Sequence, residues 1–298
     1  MFNSLVFLDY VMLAEVLALL AALFFGLNLV TTRRGLVSGH VYVGVLISIV
    51  MGVPMYFLIS LITQEFLNAR LTLSAVLILV LAGILNFGVG RNLLYRSVQL
   101  VGANISGPII SSSALYSVVL GVTLLGEEPT MNDLLGIVLI LVGLTLITMR
   151  GVKVIKSYRG LIYAFISSVI LAVTPVLVKV GTVMLNAPIL AITISYIAIL
   201  PPYIAVLASR RFRDYISGID NESLKYLTLA AITVNIAQLL RYVSLSMGDV
   251  SSVVPIMSTY ILFGILLSYA INRNLEDFNI RIIAGATLVV LGTTLITL

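Results

Sequence analysis

The stretch Gly136-Ile137-Val138-Leu139-Ile140-Leu141-Val142-Gly143-Leu144-Thr145-Leu146-Ile147-Thr148 carries no charge and is apolar on every side. A β-strand in lipid would alternate apolar and polar residues within a closed barrel. An all-round apolar run instead satisfies its own backbone as a helix. The pattern returns as Gly285-Ala286-Thr287-Leu288-Val289-Val290-Leu291-Gly292-Thr293-Thr294-Leu295-Ile296-Thr297, with Gly, Leu, Gly, Thr, Leu, Ile and Thr at the same places. One apolar helix is therefore written twice in this chain.

Outward from these stretches, a spanning helix needs about 20 predominantly apolar residues. Ten runs qualify: Val11 to Val30, Val41 to Ile62, Leu71 to Tyr95, Ala103 to Leu125, Met131 to Met149, Gly160 to Val183, Pro188 to Ala208, Leu224 to Leu245, Ser251 to Ile271 and Ile280 to Leu298. The expected fold is an all-α membrane protein of ten transmembrane helices, with no room for a soluble domain. Composition agrees: 60% of the 298 residues are apolar and only 10% are charged, against roughly 25% charged in a soluble domain. An independently soluble protein is excluded. The first run is too long for a separate signal peptide and no small-residue cleavage site follows it. The chain has no Cys, which excludes disulfides, thiolate metal sites and cysteine catalysis. Its one histidine, His40, reads as a solvated loop residue, and no metal or cofactor is expected. The net charge of +5 lies in short connections, which suits anionic lipid headgroups rather than nucleic acid.

Sliding the chain by 147 residues sets Ser48 on Ser195, Pro54 on Pro201, Tyr56 on Tyr203, Tyr95 on Tyr242, Ser97 on Ser244, Pro108 on Pro255 and Ser111 on Ser258. Two further residues of shift bring Glu127-Glu128 onto Glu276-Asp277 and join the two apolar stretches quoted above. The repeat is five spans long, so its second copy enters the membrane from the opposite face. Inverted repeats of this kind place a transport site at the midplane between halves. The halves divide as residues 1–150 and 151–298.

The run Leu124-Leu125-Gly126-Glu127-Glu128-Pro129-Thr130, followed by Gly136 and Gly143, resembles the end of the five-helix unit of EamA-type permeases of the drug/metabolite transporter superfamily. Phe24-Phe25-Gly26-Leu27-Asn28 agrees with their first span, although no Trp is present. The resemblance covers both halves; the second is degenerate, with Asn274-Leu275-Glu276-Asp277. It implies a multi-pass carrier in the cell membrane and, since family members carry amino acids, nucleobases, sugars and other metabolites, leaves the substrate open.

Positive charge is retained on the cytoplasmic face. The connections after spans 1, 5, 7 and 9 carry Arg33, Arg34, Arg150, Lys153, Lys156, Arg159, Arg210, Arg211, Arg213, Lys225, Arg273 and Arg281; the opposite face has Arg70 alone. Taken by itself this bias puts both termini outside, whereas the resemblance implies cytoplasmic termini. The charge asymmetry is the stronger argument.

Polar residues within spans are costly and face a protein interior or a watery cavity. Lys179 is either a snorkelling cation near the end of span 6 or a fixed cation for a substrate carboxylate or phosphate. Arg91 and Arg241 lie near the ends of the equivalent spans 3 and 8, among Asn86, Asn92 and Tyr95 in one half and Asn235, Gln238 and Tyr242 in the other. The last three share a helical face and read as cavity lining. With Asn28, Ser111 and Tyr260, these make the expected substrate-binding set: Asn28, Asn86, Arg91, Tyr95, Ser111, Lys179, Asn235, Gln238, Arg241, Tyr242 and Tyr260. Pro54, Pro108, Pro201 and Pro255 form symmetric pairs, each able to free a backbone carbonyl, and are the expected hinges. The glycine pairs Gly136/Gly143 and Gly285/Gly292 read as helix packing, and Glu127 and Glu128 as capping groups before the fifth span. Glu15 sits in Leu13-Ala14-Glu15-Val16, a segment similar to the first helix of small multidrug resistance proteins. The register of the repeat argues that this match is accidental and that Glu15 is interfacial.

No carboxylate lies near the middle of any span, which favours uniport or substrate exchange over proton coupling. The expected function is secondary transport of a small polar metabolite, an amino acid or a related zwitterion or anion, by alternating access and in the export direction. The expected partners are that solute and the bilayer, around a monomer. No phosphate-binding G-x-x-x-x-G-K-S/T loop supports ATP-driven transport, and no filter ring supports a channel. An intramembrane enzyme would lack a His near Ser111 to Ser113; a non-transporting scaffold is the remaining alternative.

Overall fold

The computed structural model describes residues 2–148, 157–208, 210–275 and 280–296, and all regular elements among them are helical. The first half comprises α1 (Phe2–Gly35), α2 (Val41–Ile62), the short α3 (Glu65–Asn68), α4 (Leu73–Gly83) running through a π-helical stretch Ile84–Gly90 into α5 (Arg91–Val101), α6 (Ala103–Ser111), α7 (Ser113–Leu120) with a π-helical end Gly121–Leu125, and α8 (Met131–Thr148). The second half comprises α9 (Tyr158–Leu185), α10 (Pro188–Ile197), α11 (Leu200–Ala208), α12 (Arg210–Ser217), α13 (Asn221–Met247), α14 (Val250–Ser258), α15 (Tyr260–Ile271) and α16 (Ile280–Ile296).

Seven of these stretches are long and apolar enough to cross a membrane: Tyr10–Gly35, Val41–Ile62, Leu73–Val101, Tyr158–Leu185, Pro188–Ala205, Asn221–Met247 and Val250–Ile271. All seven coincide with runs among the ten expected from the sequence. The other three runs are helical as well: α6 and α7, parted at Ser112, then α8 and α16. Apolar composition alone does not register where a backbone ladder is interrupted.

Helices of one half pack on helices of the other, and the exchange is reciprocal. α1 lies along α13, α14 and α15, while α9 lies along α4, α5, α6 and α7; α2 meets α10 and α13. α8 and α16 form their own seam, where the glycine stripes predicted to pack do so: a Cβ on Gly143 would come within 2.5 Å of the Gly285 carbonyl oxygen, and one on Gly292 equally close to that of Gly136. Bare glycines let these backbones touch, the usual device where lipid supplies no hydrophobic drive between helices. Large apolar side chains such as Leu77, Val138 and Leu266 point outward, whereas Tyr56, Tyr95, Tyr196 and Tyr242 are fully buried. The molecule is apolar outside, as a bilayer requires, and sets polar side chains such as Asn28, Asn86, Arg91 and Gln238 within a largely apolar interior.

The prolines divide. α14 and α15 are parted at Thr259, one turn after Pro255, and α6 and α7 at Ser112, one turn after the position of Pro108; the two breaks are equivalent under the repeat. Pro201 follows a break between α10 and α11, but its counterpart Pro54 lies inside an unbroken α2. Both Pro54 and Pro201 are exposed. The side chains of Pro108 and Ser111 lie outside the described residues.

Candidate functional site

A cavity of about 130 Å³ lies where the two halves meet. α1 contributes Phe25, Asn28 and Leu29; the π-stretch and α5 contribute Asn86, Arg91, Leu94 and Tyr95; α9 contributes Leu171 and Pro175; and α13 contributes Val234, Gln238 and Arg241. Ile110 and Ser113 line it from the first half's broken helix, and Val254, Met257, Ser258 and Tyr260 from the second's. Both helix breaks therefore open beside the same space.

Two guanidinium groups dominate its charge. Arg91, 4% exposed, donates from Nη1 to Ser48 Oγ (2.9 Å) and from Nη2 to Tyr196 OH (3.1 Å), and lies over the Phe87 ring, 4.7 Å from its centroid. Arg241, 7% exposed, donates to Thr174 Oγ1 (2.8 Å) and to Gln238 Oε1 (3.4 Å). Among the described residues neither has a carboxylate within ion-pair range. Hydroxyl and amide oxygens orient a guanidinium without cancelling its charge, and a buried uncompensated ion costs several kcal/mol. Asn86 adds a buried Nδ2 with no hydrogen-bond partner. Asn28, by contrast, is saturated: its Nδ2 lies within donating distance of Ala230 O (2.9 Å), Tyr95 OH (3.1 Å) and Thr32 Oγ1 (3.3 Å), tying α1 to α5 and α13. Tyr260 OH donates to Gly107 O (3.1 Å) across the two broken helices.

Three sequence expectations are corrected. Lys179 neither snorkels nor lines the cavity: its Nζ pairs with Glu127 Oε1 (3.2 Å) and Asp249 Oδ1, and donates to Gly248 O (3.0 Å). Glu127 caps a helix, but not the one that follows it. Its carboxylate accepts from the Val250 and Ser251 amides at the start of α14 (both 2.9 Å), seated against side-chain-free Gly121, while Thr130 and Asp133 cap α8 reciprocally. Lastly, the stripe of Asn235, Gln238 and Tyr242 splits, because a helical face is wider than the cavity. Only Gln238 borders the space; Asn235 is bound to Tyr56, Tyr196 and the Ser48 carbonyl in the seam between α2, α10 and α13, and Tyr242 is fully buried behind. The 147-residue shift sets Arg91 on Gln238, three residues before Arg241, yet both arginines border one cavity.

His40 is not merely solvated. Its ring stacks on Tyr215 at 3.8 Å, and Nδ1 accepts from the Tyr42 amide as the N-cap of α2. Burial, then the nearby charge of Arg96, pushes its imidazole below the ordinary value. Outside the spans, Glu65 accepts from the Ile189 and Leu190 amides (2.8 and 3.0 Å) at the start of α10, its carboxyl raised by burial against those bonds. Glu65 and Glu127 thus do the same work, each carried by the first half and capping a helix of the second.

The profile of the EamA-like transporter family matches residues 12–149 and again residues 158–298. The chain belongs to the EamA-like transporter family. Among solved structures, a crystal structure that is 17% identical aligns with a TM-score of 0.70 over 95% of this chain and 96% of that one, a likeness of fold. A search of curated proteins finds no match. This EamA-like transporter is a multi-pass membrane protein of two repeats, and the cavity described above lies between them.

Sequence reasoning missed the apolar lining of this EamA-like transporter. Phe25, Leu29, Leu171, Val254 and Met257 look like any lipid-facing residue when every span is apolar. It also missed Thr174, the hydroxyl that orients Arg241. The equivalence of Asn28 with Pro175 under the 147-residue shift was the available signal, for both border the cavity.

Proposed function

We propose that this protein carries a small anionic metabolite through the central cavity by alternating access of its two inverted repeats, which cross the bilayer ten times in all. The supporting observation is the pair of buried guanidinium groups with no carboxylate partner among the described residues. A protein that keeps such charges at a cavity wall holds a site for an opposite charge to enter. The described lining contains no carboxylate to receive an ammonium group. The amino acids suggested by the sequence therefore give way to solutes of net negative charge. Among the described residues no acid lines the cavity to couple protons, which favours uniport or exchange.

Both termini lie outside on this reading, with the basic connections in the cytoplasm. An interior-negative potential then favours export, by about 2.3 kcal/mol per charge at 100 mV. The carrier works as a monomer in the bilayer, its partners being the solute and the lipid. Counterflow in proteoliposomes with pooled anions, zwitterions and cations tests the function. Labelled anions should accumulate against internal anions and be unaffected by cations. Transport of cations with no inhibition by anions would refute it.

A further inference from the structure

We propose that the solute is a dianion whose two charged ends are held by different repeats, one by Arg91 and the other by Arg241; this rests on the anion-carrier reading. Arg91 stands on α5 in the first repeat and Arg241 on α13 in the second. Each gives two hydrogen bonds to neutral oxygens, one from each terminal nitrogen: Arg91 to Ser48 and Tyr196, Arg241 to Thr174 and Gln238. A guanidinium has five N–H donors, so both retain donors for a ligand, and the planar fork suits a carboxylate held by two bonds. The bonds already made hold each guanidinium in place.

The charge balance selects the class. Two buried cations meet no acid among the described residues. A monoanion leaves one of them uncompensated and a zwitterion leaves both, whereas a dianion cancels the pair. Asn86 Nδ2, 2% exposed as a residue and unpartnered, supplies another donor in the same lining. Leu94, Ile110, Leu171, Val254 and Met257 give the wall an apolar part beside Ser113, Gln238 and Ser258, against which a short hydrocarbon joining the two anionic groups can lie. A dicarboxylate of a few carbons has this chemistry. Bound at both ends, it ties the repeats together across the cavity, and the loaded carrier passes through the occluded state more readily than an empty one holding two like charges. Exchange should therefore outrun net transport.

The experiment uses the full-length protein in proteoliposomes, with labelled succinate as the probe. Malonate, succinate and glutarate compete as dianions, propionate and butyrate as monoanions, and alanine as a zwitterion. At least one dicarboxylate should compete about tenfold more strongly than the monocarboxylates, the worth of one charge-assisted hydrogen bond. Arg91→Gln and Arg241→Gln should each reduce that preference about tenfold, with much smaller loss of monocarboxylate binding. Binding followed by thermal stabilisation in detergent gives a second readout that does not depend on flux, and confirms that each variant is folded. Equal competition by monoanions, or an unchanged preference in Arg241→Gln, overturns the proposal. Failure of every dicarboxylate while monocarboxylates are still carried overturns it and leaves the anion-carrier reading standing; failure of all anions while cations or neutral solutes are carried overturns both.

Discussion

Replacing Glu127 by Gln separates a tertiary role from the local one that its sequence suggests. Its side chain is 5% exposed and accepts from Lys179 Nζ at 3.2 Å and from the Val250 and Ser251 amides at 2.9 Å each. Glutamine matches it in volume but has one oxygen, no charge and an N–H₂ that would face a donor. A hydrogen bond to a charged group is worth about 1.5–3 kcal/mol and a neutral one about 1. One bond is lost outright and the rest are weakened, so Glu127→Gln should cost about 2–4 kcal/mol. Lys179 keeps Asp249 and the Gly248 carbonyl, which holds the loss below that of a wholly orphaned buried charge. Asp249 is the control: its side chain is 62% exposed, and an exposed ion pair contributes about 0–1 kcal/mol. Thermal unfolding in detergent should show a large fall in Tm for Glu127→Gln and a small one for Asp249→Asn. Equal effects, or a wild-type Tm for Glu127→Gln, would refute the assignment of Glu127 as the cap that joins the repeats.

Further outcomes follow from packing, charge and pH. Gly143→Ala pushes a methyl into the Gly285 carbonyl and should cost about 1–3 kcal/mol by overpacking, while Gly218→Ala, with open space around it, should leave Tm unchanged. Because His40 titrates below its unfolded value of 6.5, the fold prefers it neutral; its contribution is complete above that value and is lost as pH falls through the window beneath it. His40→Asn, which keeps a capping side chain, should unfold with a shallower dependence on pH below 6.5 than wild type; a slope as steep would assign the dependence elsewhere. With no native Cys, Val37→Cys on the basic face and Leu67→Cys on the opposite one are clean reporters, both exposed. A membrane-impermeant maleimide should label Leu67→Cys alone in intact cells, and labelling of Val37→Cys alone would reverse the orientation.

Much of the architecture was legible in the chain. Apolar runs fix helical segments because lipid offers the backbone no other partner, and an internal shift of 147 residues announces two related halves with no structure at all. Gly143 and Gly292 were recognisable as a packing stripe since small residues at helical spacing serve few other purposes in lipid. Arg91, Arg241, Asn86 and Gln238 were legible as cavity residues because a polar group in a span must have a reason to be there.

What the tertiary structure decided is which polar group faces which space. Lys179, Asn235 and Gln238 are alike as sequence, each a polar residue in an apolar helix, yet one closes an ion pair with Glu127, one binds Tyr196 in a seam and one borders the cavity. Partners far away along the chain carry that distinction: Lys179 meets Glu127, 52 residues distant, and Asn235 meets Tyr56, 179 residues distant. A helical periodicity specifies a face within one helix and is silent about the neighbour opposite. The sequence by itself therefore determined helices, duplication and the stock of buried charge. Only the crossed packing of the repeats decided that Arg91 and Arg241 share one cavity with no acid among the described residues to neutralise them, because compensation of charge depends on distance through space.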